Sequence, residues 1–224
     1  METKITIKRA TYKDIDFIIE TIIEADKSGT NKISYCNIFD INENEFRNIL
    51  KNILEEDIDG NEFWLSGYLI AYINNQYAGA CCSWIESIDG TPSEITKANI
   101  LVYYIGSQKC LKAINNLKLI EKLNIKREPN TLQFESVYVK PEYRGNNIAG
   151  KLIKQHAINC LKYNNTIKKC QIIFADINTN AFNAYNKIGF TKEFENSDNN
   201  IEILELLPSN KRIMMTANIK TLIN

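Results

Sequence analysis

A run of small and polar residues near position 145 has the composition of a phosphate-binding turn. It reads Tyr-Arg-Gly-Asn-Asn-Ile-Ala-Gly-Lys from Tyr143 to Lys151, between an apolar run typical of a strand and an apolar stripe typical of a helix. The first turn of such a helix has unpaired N–H groups and the positive end of the helix dipole, and both bind phosphate. Gly145, Ala149 and Gly150 leave room for a pyrophosphate at the backbone. A plain strand-to-helix turn would have the same small residues, so this run alone leaves both interpretations open.

One specific interpretation of this run is the phosphate loop of nucleotide hydrolases. Residues Gly145 to Lys151 fit G-x-x-x-x-G-K, and Asp176 follows an apolar strand, as the magnesium-holding acid of that class does. Leu152, however, stands where that motif needs a Ser or Thr to bind the metal. Only about 70 residues follow the loop, which is few for the rest of a nucleotide-binding sheet. We keep this interpretation as a secondary alternative.

A second pattern begins about 30 residues after the loop. From Asn178 to Phe190 the chain reads N-x-x-A-x-x-x-Y-x-K-x-G-F. This pattern and the loop, in this order, resemble the two conserved motifs of the Gcn5-related N-acetyltransferase (GNAT) family. The first family motif is (Arg or Gln)-x-x-Gly-x-(Gly or Ala), which Arg144 and Ala149 match. Asn147 replaces the usual glycine, and asparagine tolerates the left-handed backbone geometry that glycine adopts.

The resemblance implies that acetyl-coenzyme A is the co-substrate and how it would bind. In this family the N–H groups of the loop hold the pyrophosphate, and the preceding strand splays from its neighbour to pair with the pantetheine arm. Asn178 would contact that arm from the other side, although a plain helix N-cap also accounts for it. The implied coenzyme-binding residues are Val137, Tyr138, Val139, Arg144, Gly145, Asn146, Asn147, Ile148, Ala149, Gly150, Lys151, Asn178, Ala181 and Tyr185.

Two side chains are candidates for proton transfer during amine acetylation. By resemblance Tyr185 is the acid for the leaving thiolate, with a phenol of pKa ~10 acting on a thiol of pKa ~8.5. The alternative for Tyr185 is a ring that only packs beside the sulfur. Glu135 is the candidate base, because it lies in an apolar strand and on the predicted face of Val139, where burial would raise its pKa. The alternative for Glu135 is a sheet-face carboxylate paired to a lysine.

The sequence is less informative about the acceptor amine. By resemblance, residues 26–46, the hairpin near 84–87 and the last strands shape the acceptor pocket, which Tyr35, Phe39, Trp84 and Glu86 could line. An aromatic and acidic pocket would suit a cationic amine, yet such aromatic residues are more often part of a core. We expect a small-molecule or peptide amine as the acceptor. His156 lies at helical spacing among apolar residues and is expected to be a packed side chain.

The predicted elements around these residues form a mixed α/β fold. Thr11 and Asp14 form the capping box of a first helix, a second helix starts near Asn42, and Asn74-Asn75 suits a tight hairpin turn. The strand–helix–strand–helix order after residue 132 implies a right-handed parallel crossover. We therefore expect a GNAT-like, mostly antiparallel twisted sheet with a central parallel crossover and helices on both faces. The predicted strands cover 4–9, 63–73, 77–85, 100–105, 132–139, 170–175, 190–196 and 212–219, and the later helices cover 107–123, 148–163 and 179–188, the last closed by Gly189.

Composition excludes several other classes of protein. The 224 residues fit one domain, 1–224, with a probable insertion at 86–130. The 27 basic and 27 acidic residues cancel, which argues against a general nucleic-acid binder. No apolar run is long enough for a membrane helix, and no signal core is visible, so a cytoplasmic protein is expected. Six cysteines without a C-x-x-C pair and a single histidine predict reduced thiols and no metal site.

The sequence thus predicts an acyl-CoA-dependent N-acyltransferase that transfers acetyl to a primary amine by direct attack in a ternary complex. We expect a monomer or homodimer without nucleic-acid or membrane partners. A hypothesis from another class is a non-catalytic acyl-CoA-binding or sensing protein, which the Asn147 departure and the open role of Glu135 motivate.

Overall fold

A computed structural model describes residues 4–223, and a seven-stranded sheet runs through its centre. The strand order is β1-β2-β3-β4-β5-β7-β6, with β4 and β5 parallel and every other pair antiparallel. The prediction of a mixed, mostly antiparallel sheet with one parallel crossover is confirmed. The strands are β1 Ile5–Arg9, β2 Tyr68–Ile73, β3 Gln76–Ile85, β4 Leu132–Val139, β5 Lys169–Ala175, β6 Thr191–Ser197 and β7 Lys211–Asn218.

Helices cover both faces of the sheet, because alternate residues of its strands are apolar on each side. On β2, Tyr68 and Ile70 pack with the first helices, whereas Leu69 and Ala71 pack with the long helix after β4. The predicted helices on both faces are confirmed, and each face has its own apolar core. The helices are α1 Ile15–Lys27, α2 Ser34–Phe39, α3 Glu43–Glu56, α4 Ser93–Ile105, α5 Ser107–Lys112, α6 Ile114–Glu121, α7 Ile148–Tyr163, α8 Thr179–Lys187, α9 Ile203–Leu206 and α10 Ile219–Ile223.

Three local signals in the sequence act as predicted. The Asp14 carboxylate accepts hydrogen bonds from the N–H and hydroxyl of Thr11, both at 2.8 Å, just before α1. Asn74 and Asn75 adopt φ values of 50° and 62°, the left-handed pair that a tight hairpin turn requires. Gly189 follows α8 with φ 105°. These signals are local, so short stretches of sequence determine them.

The segment between β3 and β4 differs from its prediction. Residues 100–105, predicted as a strand, form the end of α4, in which Ile100, Leu101 and Ile105 are buried and Val102 is exposed. A short apolar run has no clear period, so helix and strand are hard to distinguish. The helix predicted over 107–123 is two helices, α5 and α6, and the apolar residues Leu111, Ile114 and Leu117 on them are exposed. No helix of residues 4–223 is both long and apolar enough to cross a membrane.

Strands β4 and β5 separate halfway along their length. Their pairing covers Leu132 with Cys170, Gln133 with Gln171 and Phe134 with Ile172, and no pair follows. Just beyond this point β4 contains a bulge against β3, with Ser136 at φ 50°. The two strands thus open into a V whose arms are residues 135–139 and 173–175. Backbone groups along the inner edges of this V are free for another strand-like chain.

Candidate active site

The V between β4 and β5 opens into a cavity of about 640 Å³. Glu135 and Val137 line it from β4, Phe174 lines it from β5, and Asn178 and Tyr185 line it from α8 and its N-cap. The structure therefore brings together both predicted proton-transfer residues and two of the predicted coenzyme contacts. Its far wall consists of α1, α2, α4 and α6, with eleven of the lining residues between Lys97 and Arg127.

The loop after β4 presents a series of free N–H groups. The N–H groups from Gly145 to Gly150 donate to no acceptor in the part of the chain that the structure describes, 4–223. Gly145 at φ 84° and Asn147 at φ 55° turn successive amides in one direction, and α7 begins immediately afterwards. Such a concave set of amides at a helix N-terminus binds anions. Asn147 adopts the left-handed geometry of the glycine it replaces.

Contacts within the loop hold this conformation. The Arg144 side chain donates from Nε to the Val139 carbonyl at 3.2 Å, and Asn146 donates from Nδ2 to the Tyr143 carbonyl at 2.9 Å. Gly150 lets the Asn147 side chain pack closely, since a Cβ at position 150 would meet the side-chain oxygen of Asn147 and force it to move. These contacts preorganise the free amides, which reduces the entropy lost when an anion binds.

Tyr185 is buried in the core and lines the cavity. Its ring packs edge-on against Phe174 at 5.4 Å between centroids, and the residue is 4% exposed. Burial raises the pKa of Tyr185 well above its usual value, so the phenol stays protonated. Among residues 4–223 its hydroxyl has no hydrogen-bond partner. Tyr185 can therefore donate a hydrogen bond to a ligand.

Glu135 forms an ion pair with an arginine from the segment before β4. Arg127 Nη2 lies 2.5 Å from Glu135 Oε2, and the guanidinium carbon lies 5.2 Å from the ring centre of Trp84. Burial raises the pKa of Glu135, the charge of Arg127 opposes that effect, and the net shift is upward. The alternative interpretation of Glu135 named a lysine as its partner, and the partner is an arginine. The bulge also puts Glu135 and Val139 on opposite faces of the sheet, so the prediction that they share one face is wrong.

A second carboxylate, Glu62, lies on the same wall of the cavity. It accepts a hydrogen bond from the Tyr35 hydroxyl at 2.5 Å, and its other oxygen lies 3.3 Å from Lys97 Nζ. Burial alone would raise the pKa of Glu62, but the charges of Lys97 and Arg127 and the hydrogen bond from Tyr35 lower it. Glu62 therefore stays ionised, whereas the raised pKa of Glu135 is closer to that of a working base.

Asp26 is a third carboxylate of the cavity, at the end of α1. Its Oδ2 accepts the Ser34 N–H at 2.6 Å, at the start of α2. Burial raises the pKa of Asp26 to about 6, although the hydrogen bonds from Ser34 and the charge of Arg212 oppose that effect. A carboxyl group with this pKa changes its charge close to neutral pH.

The remaining predicted residues have mainly structural positions. Asn178 caps α8 through a hydrogen bond from the Ala181 N–H at 3.1 Å, and it also lines the cavity, so both of its predicted roles are compatible. Tyr138 points away from the cavity toward Glu20, 3.4 Å from its hydroxyl. Of the predicted acceptor residues, Tyr35 and Phe39 line the cavity, whereas the lining does not include Trp84 and Glu86.

Trp84, Glu86 and His156 are held in hydrogen-bonded positions of the interior. Glu86 accepts from Trp84 Nε1 at 3.0 Å and from the Ser93 N–H at 2.9 Å, and so fixes the start of α4. His156 donates from Nε2 to the Cys81 carbonyl at 2.8 Å, which leaves Nδ1 to accept from Ser83 at 2.7 Å. Burial lowers the pKa of His156 to about 4, so it is a neutral, packed side chain as predicted.

Sequence reasoning missed most of the polar residues in the cavity. Asp26 lies at the end of α1, Lys97 lies within α4, and Glu62 and Arg127 lie in loops. Arg212 lies in a predicted strand, and no recognisable motif marks any of these five residues, so their charge is their only sequence signal. Among residues 4–223, no group of three or more His, Cys, Asp or Glu side chains is arranged to hold a metal ion.

Comparison with known families agrees with this architecture. Residues 64–192 match the model of the acetyltransferase (GNAT) domain, which is more than half of the chain. The chain belongs to the GNAT family. Both the family membership and the single parallel strand pair argue against the nucleotide-hydrolase alternative, because that class needs a mostly parallel sheet. No curated protein sequence matches the chain.

Three solved structures with a similar fold are distant from this chain in sequence. An N-acetyltransferase from Staphylococcus aureus Mu50 is 14% identical, with a TM-score of 0.60, over 95% of this chain and 100% of that one. An aminoglycoside acetyltransferase in complex with coenzyme A and kanamycin is 13% identical, with a TM-score of 0.53, over 97% and 96%. A spermidine N-acetyltransferase chimera, with Vibrio cholerae as one source, is 12% identical, with a TM-score of 0.56, over 99% of both chains. At these identities the likeness shows the fold alone.

Proposed function

We propose that this protein is an acyl-CoA-dependent N-acyltransferase that transfers acetyl from acetyl-CoA to a primary amine. One observation carries the proposal. Glu135, Tyr185 and the opening of the V meet in one cavity, and the loop of free amides follows β4 directly. A proton acceptor, a phenol donor, an anion site and a strand-like channel are the parts that acyl transfer from a coenzyme thioester needs.

The chain offers a continuous set of contacts to acetyl-CoA. Amides from Gly145 to Gly150 fit the pyrophosphate, with Arg144 and Lys151 beside them as positive charges. The free edge of β4 at Val137 and Val139 fits the amides of the pantetheine arm. On the opposite side, Asn178 Nδ2 has no acceptor among residues 4–223. Together these contacts would place the thioester near Tyr185.

In this proposal the acceptor nitrogen attacks the thioester carbonyl carbon, and the carbon–sulfur bond breaks. Glu135 takes the proton that the nitrogen loses, directly or through a water, and later releases it to solvent. Its raised pKa favours this role, and Arg127 keeps it ionised before the acceptor binds. Because Arg127 stacks on Trp84, the ion pair also fixes the position of the carboxylate.

Tyr185 stabilises the leaving group. Its pKa lies far above that of a thiol, so the phenol donates a hydrogen bond to the thiolate and does not ionise fully. The free hydroxyl of this cavity-lining residue is available for this bond. The coenzyme thiolate then takes its proton from solvent, which completes the proton balance.

The cysteines of this region favour direct attack by the amine over a mechanism with an acyl-enzyme intermediate. Cys81 lies in the core near Tyr185, yet it does not line the cavity and its thiol donates to the Cys82 carbonyl. Burial raises the pKa of Cys81 above that of an ordinary thiol. A buried neutral thiol is a poor nucleophile, so a ternary complex of protein, acetyl-CoA and amine accounts for the transfer.

The acceptor falls in the class of small or peptide amines. Among the structural neighbours, one is an aminoglycoside acetyltransferase, one a spermidine and one an agmatine N-acetyltransferase. We further propose a cytoplasmic monomer or homodimer. The test is transfer of radiolabelled acetyl to a panel of amines, with acetyl-CoA binding measured separately by calorimetry. Transfer to at least one amine supports the enzyme. Binding without any transfer supports the sensing alternative, and the absence of binding contradicts both.

A further inference from the structure

Two cations of the cavity, the half-buried Arg212 and the exposed Lys118, have no side-chain hydrogen bond or ion pair among residues 4–223. Arg212 stands at the start of β7, opposite Ala175, and lines the cavity. Within residues 4–223 its guanidinium makes no hydrogen bond and has no carboxylate within 4 Å, whereas Lys97 and Arg127 are paired with Glu62 and Glu135. Its half-buried guanidinium therefore retains its full capacity for a planar anion.

Arg212 is nevertheless close to the reacting end of the site. Burial raises the pKa of both Asp26 and Glu135, and the charge of Arg212 opposes that effect at each of them. Arg212 thus faces the same space as the candidate base without neutralising it. A ligand with a positive and a negative group could contact both ends of this arrangement.

The charges of the whole cavity balance. Its lining contains four carboxylates and four cations: Asp26, Glu62, Glu121 and Glu135, and Lys97, Lys118, Arg127 and Arg212. A pocket for a polycation is expected to contain an excess of carboxylates, because complementary charge selects the ligand. The balance here favours a ligand of mixed charge.

The segment 86–130 adds an apolar wall to the same cavity. Ile114, Leu117 and Ile120 project from α6 into its lining, and Ile114 and Leu117 are 39% and 36% exposed. Phe39 and Leu101 line it as well. Exposed aliphatic side chains in a cavity mark a binding surface for an apolar group.

We propose that the acceptor is a small amine that also carries a carboxylate and an apolar body, as an apolar amino acid does. Arg212 binds the carboxylate, Glu135 receives the amine, and α6 covers the apolar body. This inference rests on the proposed acyl transfer, but acceptor binding can be measured without turnover.

The test is a calorimetric titration of matched ligands into the protein saturated with coenzyme A. Leucine is compared with 3-methylbutylamine and phenylalanine with 2-phenylethylamine, so that each pair differs only in the carboxylate. We expect the acids to bind about 10- to 100-fold more tightly, the size of charge-assisted hydrogen bonds. Arg212→Gln should abolish this preference, and Arg212→Lys should retain part of it. Lys211→Gln, next to it on β7 and paired with Glu195 at 3.5 Å, should leave the preference unchanged.

Equal binding of acids and amines, or a preference that survives Arg212→Gln, would overturn the inference while leaving acyl transfer intact. A second experiment tests whether the carboxylate belongs to the acyl donor instead of the acceptor. If succinyl-CoA outcompetes acetyl-CoA and simple amines become acceptors, Arg212 binds the acyl chain of the donor, and the acceptor assignment is wrong. Failure of transfer with every amine, with the binding preference present, counts against the proposed function and not against this inference.

Discussion

Arg127 and Glu135 are joined by a contact of 2.5 Å between Nη2 and Oε2, at the point where β4 leaves β5. Arg127 belongs to the segment 86–130, and Glu135 belongs to the sheet. The ion pair therefore links the candidate base to the segment that forms the acceptor wall. Since Arg127 stabilises the ionised form of Glu135, it affects the pH at which that base works.

Removing Arg127 should shift the pH dependence of transfer. Burial raises the pKa of Glu135, and Arg127→Gln removes the strongest opposing charge, so the pKa rises further. The base acts when ionised, so activity should be lost at a higher pH as the medium is acidified. The acid limb of kcat/KM against pH should move upward by about one unit. Lys126→Gln, which changes an exposed neighbour, should leave the limb in place.

Glu135→Gln should separate catalysis from binding. The amide has nearly the same shape but takes no proton, so transfer should fall about 100- to 10,000-fold, the usual contribution of a general base. Acetyl-CoA affinity measured by calorimetry should be unchanged, since the implied coenzyme contacts come from other residues. Retained transfer in this variant would show that another group, such as Asp26, is the base.

Tyr185→Phe should lower kcat about 10- to 100-fold, because the leaving thiolate loses a hydrogen bond. The ring and its contact with Phe174 remain, so the free energy of unfolding should change little. Steady-state kinetics with a fixed amine measure the effect. Tyr163→Phe is the matched control, since Tyr163 is 80% exposed and does not line the cavity. Equal kcat in both variants would mean that Tyr185 serves only as a packed ring and that its hydroxyl has no role in the reaction.

Substitutions at Asn147 should distinguish backbone geometry from side-chain chemistry. At φ 55° glycine fits without strain, so Asn147→Gly should bind acetyl-CoA nearly as well as the original protein. A β-branched residue resists this geometry, so Asn147→Val should weaken binding about tenfold or more. Calorimetry of both variants checks this expectation. A large loss of affinity in Asn147→Gly would instead mean that the asparagine side chain contacts the ligand.

Ionisation of the Asp26 carboxyl group should lower the free energy of unfolding as the pH rises. Its pKa is about 6 in the folded protein and 3.8 in the unfolded reference, so the folded state holds the proton more tightly. The contribution of Asp26 to the free energy of unfolding should therefore be most favourable below pH 3.8 and should decline between pH 4 and 6. Asp26→Asn should be more stable by about 1–3 kcal/mol at pH 7 but not at pH 4, as judged by urea unfolding. Asp59→Asn, which changes an exposed carboxylate in the same way, is the matched control.

The sequence predicted the parts of the fold and site that short motifs specify. The Asn178–Phe190 pattern and the loop near Asn147 place Tyr185 and the free amides, because both depend on local turns and helix starts. The hairpin at Asn74 and the parallel crossover follow from equally local signals. The assignment of 86–130 as an insertion into one domain remains a prediction.

The rest of the site depends on contacts between distant parts of the chain. Glu62 and Arg127 meet at the cavity although they are far apart in sequence, and no spacing rule connects them. The bulge at Ser136 changes the face of Glu135 relative to Val139, and a non-glycine residue at φ 50° gives no sequence signal. The run 100–105 was assigned to a strand because a short apolar stretch fits either period.

The decisive measurement is a crystal structure of the protein with acetyl-CoA bound. We expect the diphosphate within hydrogen-bond distance of the amides from Gly145 to Gly150, with the thioester sulfur beside the Tyr185 hydroxyl. A coenzyme bound elsewhere, or a sulfur that lies outside the V between β4 and β5, would show that the proposed site is wrong.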